Sequence, residues 1–428
     1  MDGGQLEMES NDKQLNRRGF LGATGAMIVG SRLVHGSTAN SAVRVGLLGC
    51  GGRGTADATS MVVNAGAQVA ALGDLFQDQL DQAKRHFDDL AMEHGYPPIN
   101  AGQLFRGPHA FEQIAASKEL DAIVIATPPY FHAGHLETVI SAGKHAYCEK
   151  PVAVDVPGAK RVLEIGKKAE GRLSLEVGFQ IRQAPPFAEL VNRIHAGAIG
   201  EIAFAEAHYY CPFIKMPHLD APEAQWRLRN WLYDRVLSGD IIVEQNIHAI
   251  DICNWVLQAH PVKASGAGSR KGRSENGNVL GHCAVAFTYP GDVQLSFSSK
   301  QFGQGGFDVS EHFFGTRGVA YAPYAGPLGF EGEETWTWSG SEKKEQTNFS
   351  AAGTFSDNLA EADAQKHKSF IGSVTSGRFH NQAAPGVESS LTAMLGRTAM
   401  YKGHEVSWDE LLKSDEVWDA GIDLNKFA

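Results

Sequence analysis

The run Val43-Arg44-Val45-Gly46-Leu47-Leu48 has the apolar character of a buried strand, and it meets Gly49-Cys50-Gly51-Gly52-Arg53-Gly54 without a spacer. Three glycines in G-x-G-x-x-G spacing between a strand and a helix restrict the fold more than anything else in the chain. In such a turn Gly49 lets the chain reverse, Gly51 lets backbone approach a pyrophosphate, and Gly54 lets helix and strand pack closely. Gly52 and Arg53 then open the helix whose free N–H groups face the anion. With 48 glycines in the chain the motif needs context. A second strand, Gln68-Val69-Ala70-Ala71-Leu72, ends at Gly73-Asp74, setting a carboxylate about 25 residues beyond Gly49, near the spacing of a ribose-diol acceptor. Asp74, with no arginine in the following Leu75-Phe76-Gln77, points to NAD over NADP. The plainer alternative is a glycine-rich βα turn.

At 428 residues the chain exceeds the size, roughly 250–300 residues, at which single cores stop growing, so two domains are expected. Apolar content of 43% with 20% charged residues is ordinary for a globular protein. A formal charge of -11 lacks the basic footprint of nucleic-acid binding and leaves small neutral ligands open. Cys50, Cys148, Cys211, Cys253 and Cys283 form no C-x-x-C pair and are odd in number, suggesting neither a zinc site nor a disulfide framework. No metal is expected.

Residues 1–42 read as a segment preceding the fold. Asn16-Arg17-Arg18-Gly19-Phe20-Leu21-Gly22, with the weakly apolar run from Ala23 to Gly30, resembles a twin-arginine export signal, although Asn16 and Gly22 depart from the usual residues. The run falls short of the about 20 apolar residues that span a bilayer. An exported, periplasmic protein is expected; the alternative is a tail with a chance Arg-Arg pair, which would leave the protein cytoplasmic.

From Val43 strands and helices alternate. Helical stretches at 76–94, 108–117, 135–142 and 157–169 separate strands at 121–126, 144–148 and 173–179, the first running into Thr127-Pro128 and the second into Glu149-Lys150-Pro151. Repeated βα units dictate a parallel, doubly wound sheet, assigned to 43–181. Strands then recur at 202–209, 283–289, 293–297 and 308–314, with Pro290-Gly291-Asp292 as a hairpin turn. Residues 182–428 are therefore expected to form an α+β domain around a large, mainly antiparallel sheet, with 339–357 a solvated loop.

Ligands of an open α/β sheet lie beyond the carboxyl ends of its strands, where Thr127, Pro128, His132, Glu149 and Lys150 fall. Lys150 is placed to reach a nicotinamide and a substrate hydroxyl; the alternative is a surface lysine paired with Glu149. In Glu244-Gln245-Asn246-Ile247-His248-Ala249-Ile250-Asp251, a continuous helix would set Glu244, His248 and Asp251 on one face. Two carboxylates there would raise the basicity of the histidine and fix its tautomer, as a general base needs; a structural ion network or a metal site is the alternative. Tyr209, Tyr210, Trp226, Arg227, Arg229, Asn230 and Trp231 are residues that can line a sugar site, or ordinary core and surface residues.

The nucleotide turn, Thr127-Pro128 with His132, Glu149-Lys150-Pro151, Val177-Gly178-Phe179-Gln180 and the His248 segment follow an order that resembles the Gfo/Idh/MocA family, the glucose-fructose oxidoreductase and inositol dehydrogenase relatives. Glu-Lys-Pro is the most specific part. The resemblance implies a Rossmann domain followed by an open-faced sheet domain that often mediates homo-oligomers, a catalytic role at Lys150 and an acid/base role at His248. This chain carries Glu244 where the family's D-x-x-x-H-x-x-D has aspartate. The expected enzyme is an exported NAD-dependent sugar or polyol dehydrogenase with no stable membrane span. In it His248 takes the hydroxyl proton, Lys150 stabilises the alkoxide, and Glu244 orients one of them. Gln180, Arg182, Tyr209, Trp231 and Asp251 would join Lys150 around the substrate. Two rivals share the site: a glycosidase that retains NAD for an oxidation-elimination cycle, and a catalytically silent sugar-binding protein.

Overall fold

The computed structural model describes residues 42–214, 218, 220–339, 348–350 and 353–427. Apart from Ala42, the expected export segment lies outside them, as does much of the expected loop at 339–357.

Among the described residues the first sheet contains β1 (Arg44–Leu48), β2 (Gln68–Asp74), β3 (Leu104–Arg106), β4 (Ala122–Ile125), β5 (His145–Cys148) and β6 (Leu175–Val177) in the order β3-β2-β1-β4-β5-β6. Every pairing is parallel. Successive residues feed opposite layers, as a strand's period of two requires. In β4, Ala122 and Val124 pack with Met61, Leu80 and Phe87 of the helices Gly52–Ala65 and Gln77–Glu93. Ile123 and Ile125 belong to the core that holds Leu136, Val139, Val162 and Ile165 of the helices His132–Ser141 and Val156–Ala169.

The second sheet comprises β7 (Ile202–Cys211), β8 (Lys263–Ser269), β9 (His282–Thr288), β10 (Gln294–Gln301), β11 (Asp308–Gly315), β12 (Gly318–Pro323), β13 (Gly329–Gly332), β14 (Trp336–Thr337) and, after a small hairpin of β15 (Asn348–Ser350) and β16 (Gly353–Phe355), β17 (Val406–Ser407). It is antiparallel except where β7 runs parallel to β10. Leu295, Phe297, Ser299 and Gln301 alternate inward along β10. The hydrophobic core continues from this sheet into the first, which makes the two sheets parts of one packed unit.

The C-terminal residues return to the nucleotide half. The helix Ala362–Ser376 lays Phe370 and Ile371 against Met61 and Val62, and the segment after it pairs with the β6 edge: Leu175 N–H donates to His380 O (2.9 Å) and Gln382 N–H to Leu175 O (2.9 Å). Covering this edge removes a strand template from solvent. No helix among the described residues is long and apolar enough to cross a membrane.

Candidate active site

A cleft of about 740 Å³ opens over the carboxyl ends of β1, β4 and β5, with walls from both sheet regions. Its floor is the glycine turn. Gly49 has φ 94°, where a Cβ is strained, and that Cβ would also lie 2.6 Å from the Ala126 carbonyl carbon. At Gly54 a Cβ would stand 2.2 Å from Gly49 O. At Gly51 it would meet nothing within 4 Å, so space is kept beside this backbone. The helix Gly52–Ala65 starts here without a side-chain cap, leaving N–H groups for an anion.

Asp74 borders the same cleft, accepting from Cys50 N–H (2.8 Å) and Phe76 N–H (2.9 Å). Burial raises its pKa, and those two donors oppose the rise. These residues fit a dinucleotide: a close-approach turn for the pyrophosphate and a carboxylate for the ribose diol. Arg229, from the helix Glu223–Arg229, stacks 3.9 Å over the Phe76 ring but is held bidentate by Asp78 (2.8 and 2.9 Å). With that cation neutralised, NAD is expected to bind at least about tenfold more tightly than NADP, whose 2'-phosphate meets Asp74. Calorimetric titration checks this, and tighter NADP binding would sink it.

Arg53 and Glu149, expected as cofactor contacts, line the cleft but direct their charged groups at each other. Arg53 Nε meets Glu149 (3.1 Å), while its terminal nitrogens meet Asp363 (2.9 and 3.0 Å) and Asp57 (3.1 Å). The wholly buried Lys366 lies 3.1 Å from Asp363, and His367 lies 3.1 Å from Asp57. Burial would raise the Glu149 pKa, yet Arg53, Lys366 and Lys150 hold it well below the usual carboxylate range. Glu149 also accepts from Tyr147 OH (2.9 Å) and Lys150 N–H (3.2 Å), which ties the lysine turn to the nucleotide turn.

His132 sits between the two strand ends, with Nδ1 2.7 Å from Pro151 O and Nε2 2.6 Å from Thr127 O. Burial pushes its pKa down against the pull of those carbonyls. A neutral ring donates to only one of them, and the ring lies wedged between the two strand ends that frame the cleft. Thr127 and Pro128 line it directly, and Thr127 Oγ1 bonds His135 Nδ1 (3.0 Å).

The segment expected as one helix is broken. Asp240, at φ 75°, accepts from Ile241 N–H (2.7 Å) and Leu280 N–H (2.9 Å) and so launches the short helix Ile241–Glu244. Gln245 and Asn246 both donate backbone N–H to Ile241 O, and a separate helix begins at Ile247. Glu244 therefore does not share a helical face with His248. It faces Lys150, whose Nζ donates to Glu244 Oε1 (2.9 Å) and to Glu244 O (2.6 Å).

His248 lines the cleft with Nδ1 buried and unpartnered. Its pKa falls well below the ordinary histidine value, first through burial and then through the charge of Lys150. The raised basicity expected from two flanking carboxylates is thus reversed. Asp251 is occupied elsewhere, accepting two bonds from Arg182 (2.8 Å each) and one from Ser389 Oγ (2.6 Å). Neither Arg182 nor Asp251 borders the cleft, which corrects their expected substrate contact: Asp251 ties the helix Ile247–Leu257 to the turn at Arg182 and, through Ser389, to the helix Ala383–Lys402.

Gln180, Tyr209 and Trp231 do line the cleft, as expected of substrate-side residues. The sequence reading missed Phe213, Tyr233, Gln245 and His135 on the same walls. His135 stacks with Phe111 (4.7 Å) and Phe131 (5.7 Å), and burial pushes its pKa down to about 3. His135, opening the expected helix 135–142 shortly after the ligand-bearing strand end at Thr127-Pro128, was the available signal.

Residues 43–177 match the profile of an oxidoreductase family with an NAD-binding Rossmann fold, and residues 187–321 match the GFO/IDH/MocA C-terminal domain. Inositol 2-dehydrogenase of Rhizobium meliloti is 25% identical over 82% of this chain and 94% of its own length. The scyllo-inositol 2-dehydrogenase (NAD(+)) of Bacillus subtilis is 27% identical over 65% and 73%. A structure of scyllo-inositol dehydrogenase from Lactobacillus casei, with bound NAD(H) and scyllo-inositol, shares the fold at TM-score 0.63 and 17% identity, covering 86% of this chain and 99% of that one. With an NAD-binding half and a C-terminal half of one family joined in a single packed unit, the chain belongs to the GFO/IDH/MocA family of oxidoreductases.

Proposed function

We propose that this protein is an NAD-dependent dehydrogenase that oxidises a hydroxyl carbon of a sugar or polyol. The observation carrying the reading is that one cleft wall holds both a lysine ammonium fixed by Glu244 and the imidazole of His248. NAD, bound over the Gly49–Gly54 turn and Asp74, supplies the hydride acceptor. His248, neutral because its pKa is lowered, accepts the hydroxyl proton, and Lys150 donates to the oxygen as negative charge develops. Glu244 positions Lys150. Trp231 offers a ring face to the carbon skeleton, and Gln180 a polar contact. The relatives favour this reading over the oxidation-elimination glycosidase and the silent binding protein.

A panel of scyllo-inositol, myo-inositol, D-glucose and D-xylose, each with NAD and followed by NADH absorbance, tests the reading. Turnover of at least one member is expected, and inertness toward sugars and polyols overturns it.

The paired Arg17-Arg18 before Phe20-Leu21 supports export by the twin-arginine route, which carries folded proteins and so suits an enzyme that binds its nucleotide before crossing. Changing both arginines to lysine is expected to leave the protein inside the cell. Unchanged fractionation between periplasm and cytoplasm would show the segment to be only a tail.

A further inference from the structure

The last described residues run back to the mouth of the cleft. From 414 to 423 they form neither helix nor strand, yet Trp418, Ala420, Ile422 and Leu424 are buried or half-buried while Asp419, Gly421 and Asp423 are exposed. Alternation of period two marks an extended segment lying with one side down on a surface. A short turn, Leu424–Phe427, follows it.

Both sides of the mouth hold this strap. On one side Arg227, from the helix Glu223–Arg229, donates to Ala420 O (2.7 Å). On the nucleotide side Asp155 accepts from Trp418 N–H (2.9 Å), Arg106 donates to Phe427 O (3.4 Å), and the Phe427 ring stands edge-on to Phe76 with centroids 6.1 Å apart. Ala420, Ile422, Leu424 and Phe427 share one apolar cluster with Leu75 and Phe76 of the nucleotide half and with Leu228 and Leu237 across the mouth.

Leu424 itself lines the cleft. Leu75 and Phe76 follow directly on Asp74, the carboxylate suited to the adenosine ribose, and Arg106 is the register partner of Asp74 across β2 and β3. The strap therefore borders the adenosine end of the cofactor site. Among the described residues no backbone-to-backbone hydrogen bond ties 415–427 to the rest of the chain, so side chains hold it. A segment held in this way opens at lower cost than a paired strand or a core helix.

We propose that residues 415–427 form the outer wall of the adenosine half of the cofactor site, and that NAD enters and leaves only when this strap lifts. The proposal rests on the dehydrogenase reading of the same cleft. The glycine turn and Asp74 grip the nucleotide, and the strap sets how long it stays. Leu424 and Phe427, closed over the bound cofactor, shield it from water, and weakening their hold shortens its residence.

Two measurements on the full chain test this. When preloaded NADH is displaced by excess NAD and followed by its fluorescence in stopped flow, Leu424→Ser and Phe427→Ser are each expected to raise the dissociation rate by at least about tenfold. Val417→Ser, at an outward residue of the same segment that is 70% exposed, should stay within about twofold of wild type. Hydrogen exchange on the wild-type protein, which needs no variant to fold, should slow by at least about tenfold across the amides of 415–427 when NAD is saturating. Unchanged dissociation in both cleft-side variants, equal acceleration in Val417→Ser, or exchange indifferent to NAD overturns the proposal. A wild-type protein that binds no NAD instead removes the dehydrogenase reading, and this inference with it.

Discussion

His248→Ala and Lys150→Ala are each expected to lower kcat by at least about a hundredfold, the usual contribution of a positioned acid or base, while NAD still binds the His248 variant. His248 must be neutral to accept a proton, and burial together with Lys150 keeps its pKa well below the ordinary value of about 6.5. Activity should therefore hold steady as pH falls through 7 toward about 6 and decline only at more acid pH, where the ring begins to charge. An ordinary exposed histidine base would give a decline centred near its unperturbed pKa. Variants of both residues that keep near-normal kcat on the true substrate would show the assignment to be wrong.

Lys366→Met is expected to destabilise the fold by about 3–5 kcal/mol, read from the urea midpoint, because removing one partner of a buried ion cluster leaves charge uncompensated. Lys366 faces Asp57, Glu149 and Asp363, with Arg53 the other cation facing the same three carboxylates. Glu149 and Asp363 have pKa values lowered below their unfolded values despite burial. Their stabilisation is present above the unfolded carboxylate pKa, near 4, and is lost as pH falls through the folded values. Asp57 has the opposite sign: burial raises its pKa, so its charge is costly at neutral pH and Lys366 offsets the cost. Both effects make the gap between wild type and variant largest near pH 7 and narrower below about 4. A gap independent of pH would mean that lost packing, and not the charge cluster, accounts for the destabilisation.

What the sequence made legible was local. The glycine turn, Asp74, the Thr127-Pro128 strand end and Glu149-Lys150-Pro151 each combine a strand signal with a loop residue whose chemistry is set by its immediate neighbours, and all of them border the cleft. The errors came where a partner lies far along the chain. Glu244 was read as sharing a helical face with His248 and as orienting either His248 or Lys150; its partner is Lys150, just after β5 and far along the chain. Asp251 was read by helical periodicity and does lie three residues after His248 in one helix, but its carboxylate is taken by Arg182 and Ser389. Residues 362–376 carry no signal of their destination, since a helix that packs on Gly52–Ala65 has the same pattern as one that packs on its own domain.

Hydride transfer itself is tested most directly by label. A panel substrate carrying deuterium on its hydroxyl-bearing carbons, incubated with NAD and the purified protein, should yield NADH bearing one deuterium at the nicotinamide ring, seen by mass spectrometry, in ordinary water. The same incubation with His248→Ala should give at least about a hundredfold less labelled product in equal time. Reduced cofactor without label, or product formed with no reduced cofactor at all, would contradict direct transfer between a substrate carbon and NAD in this cleft.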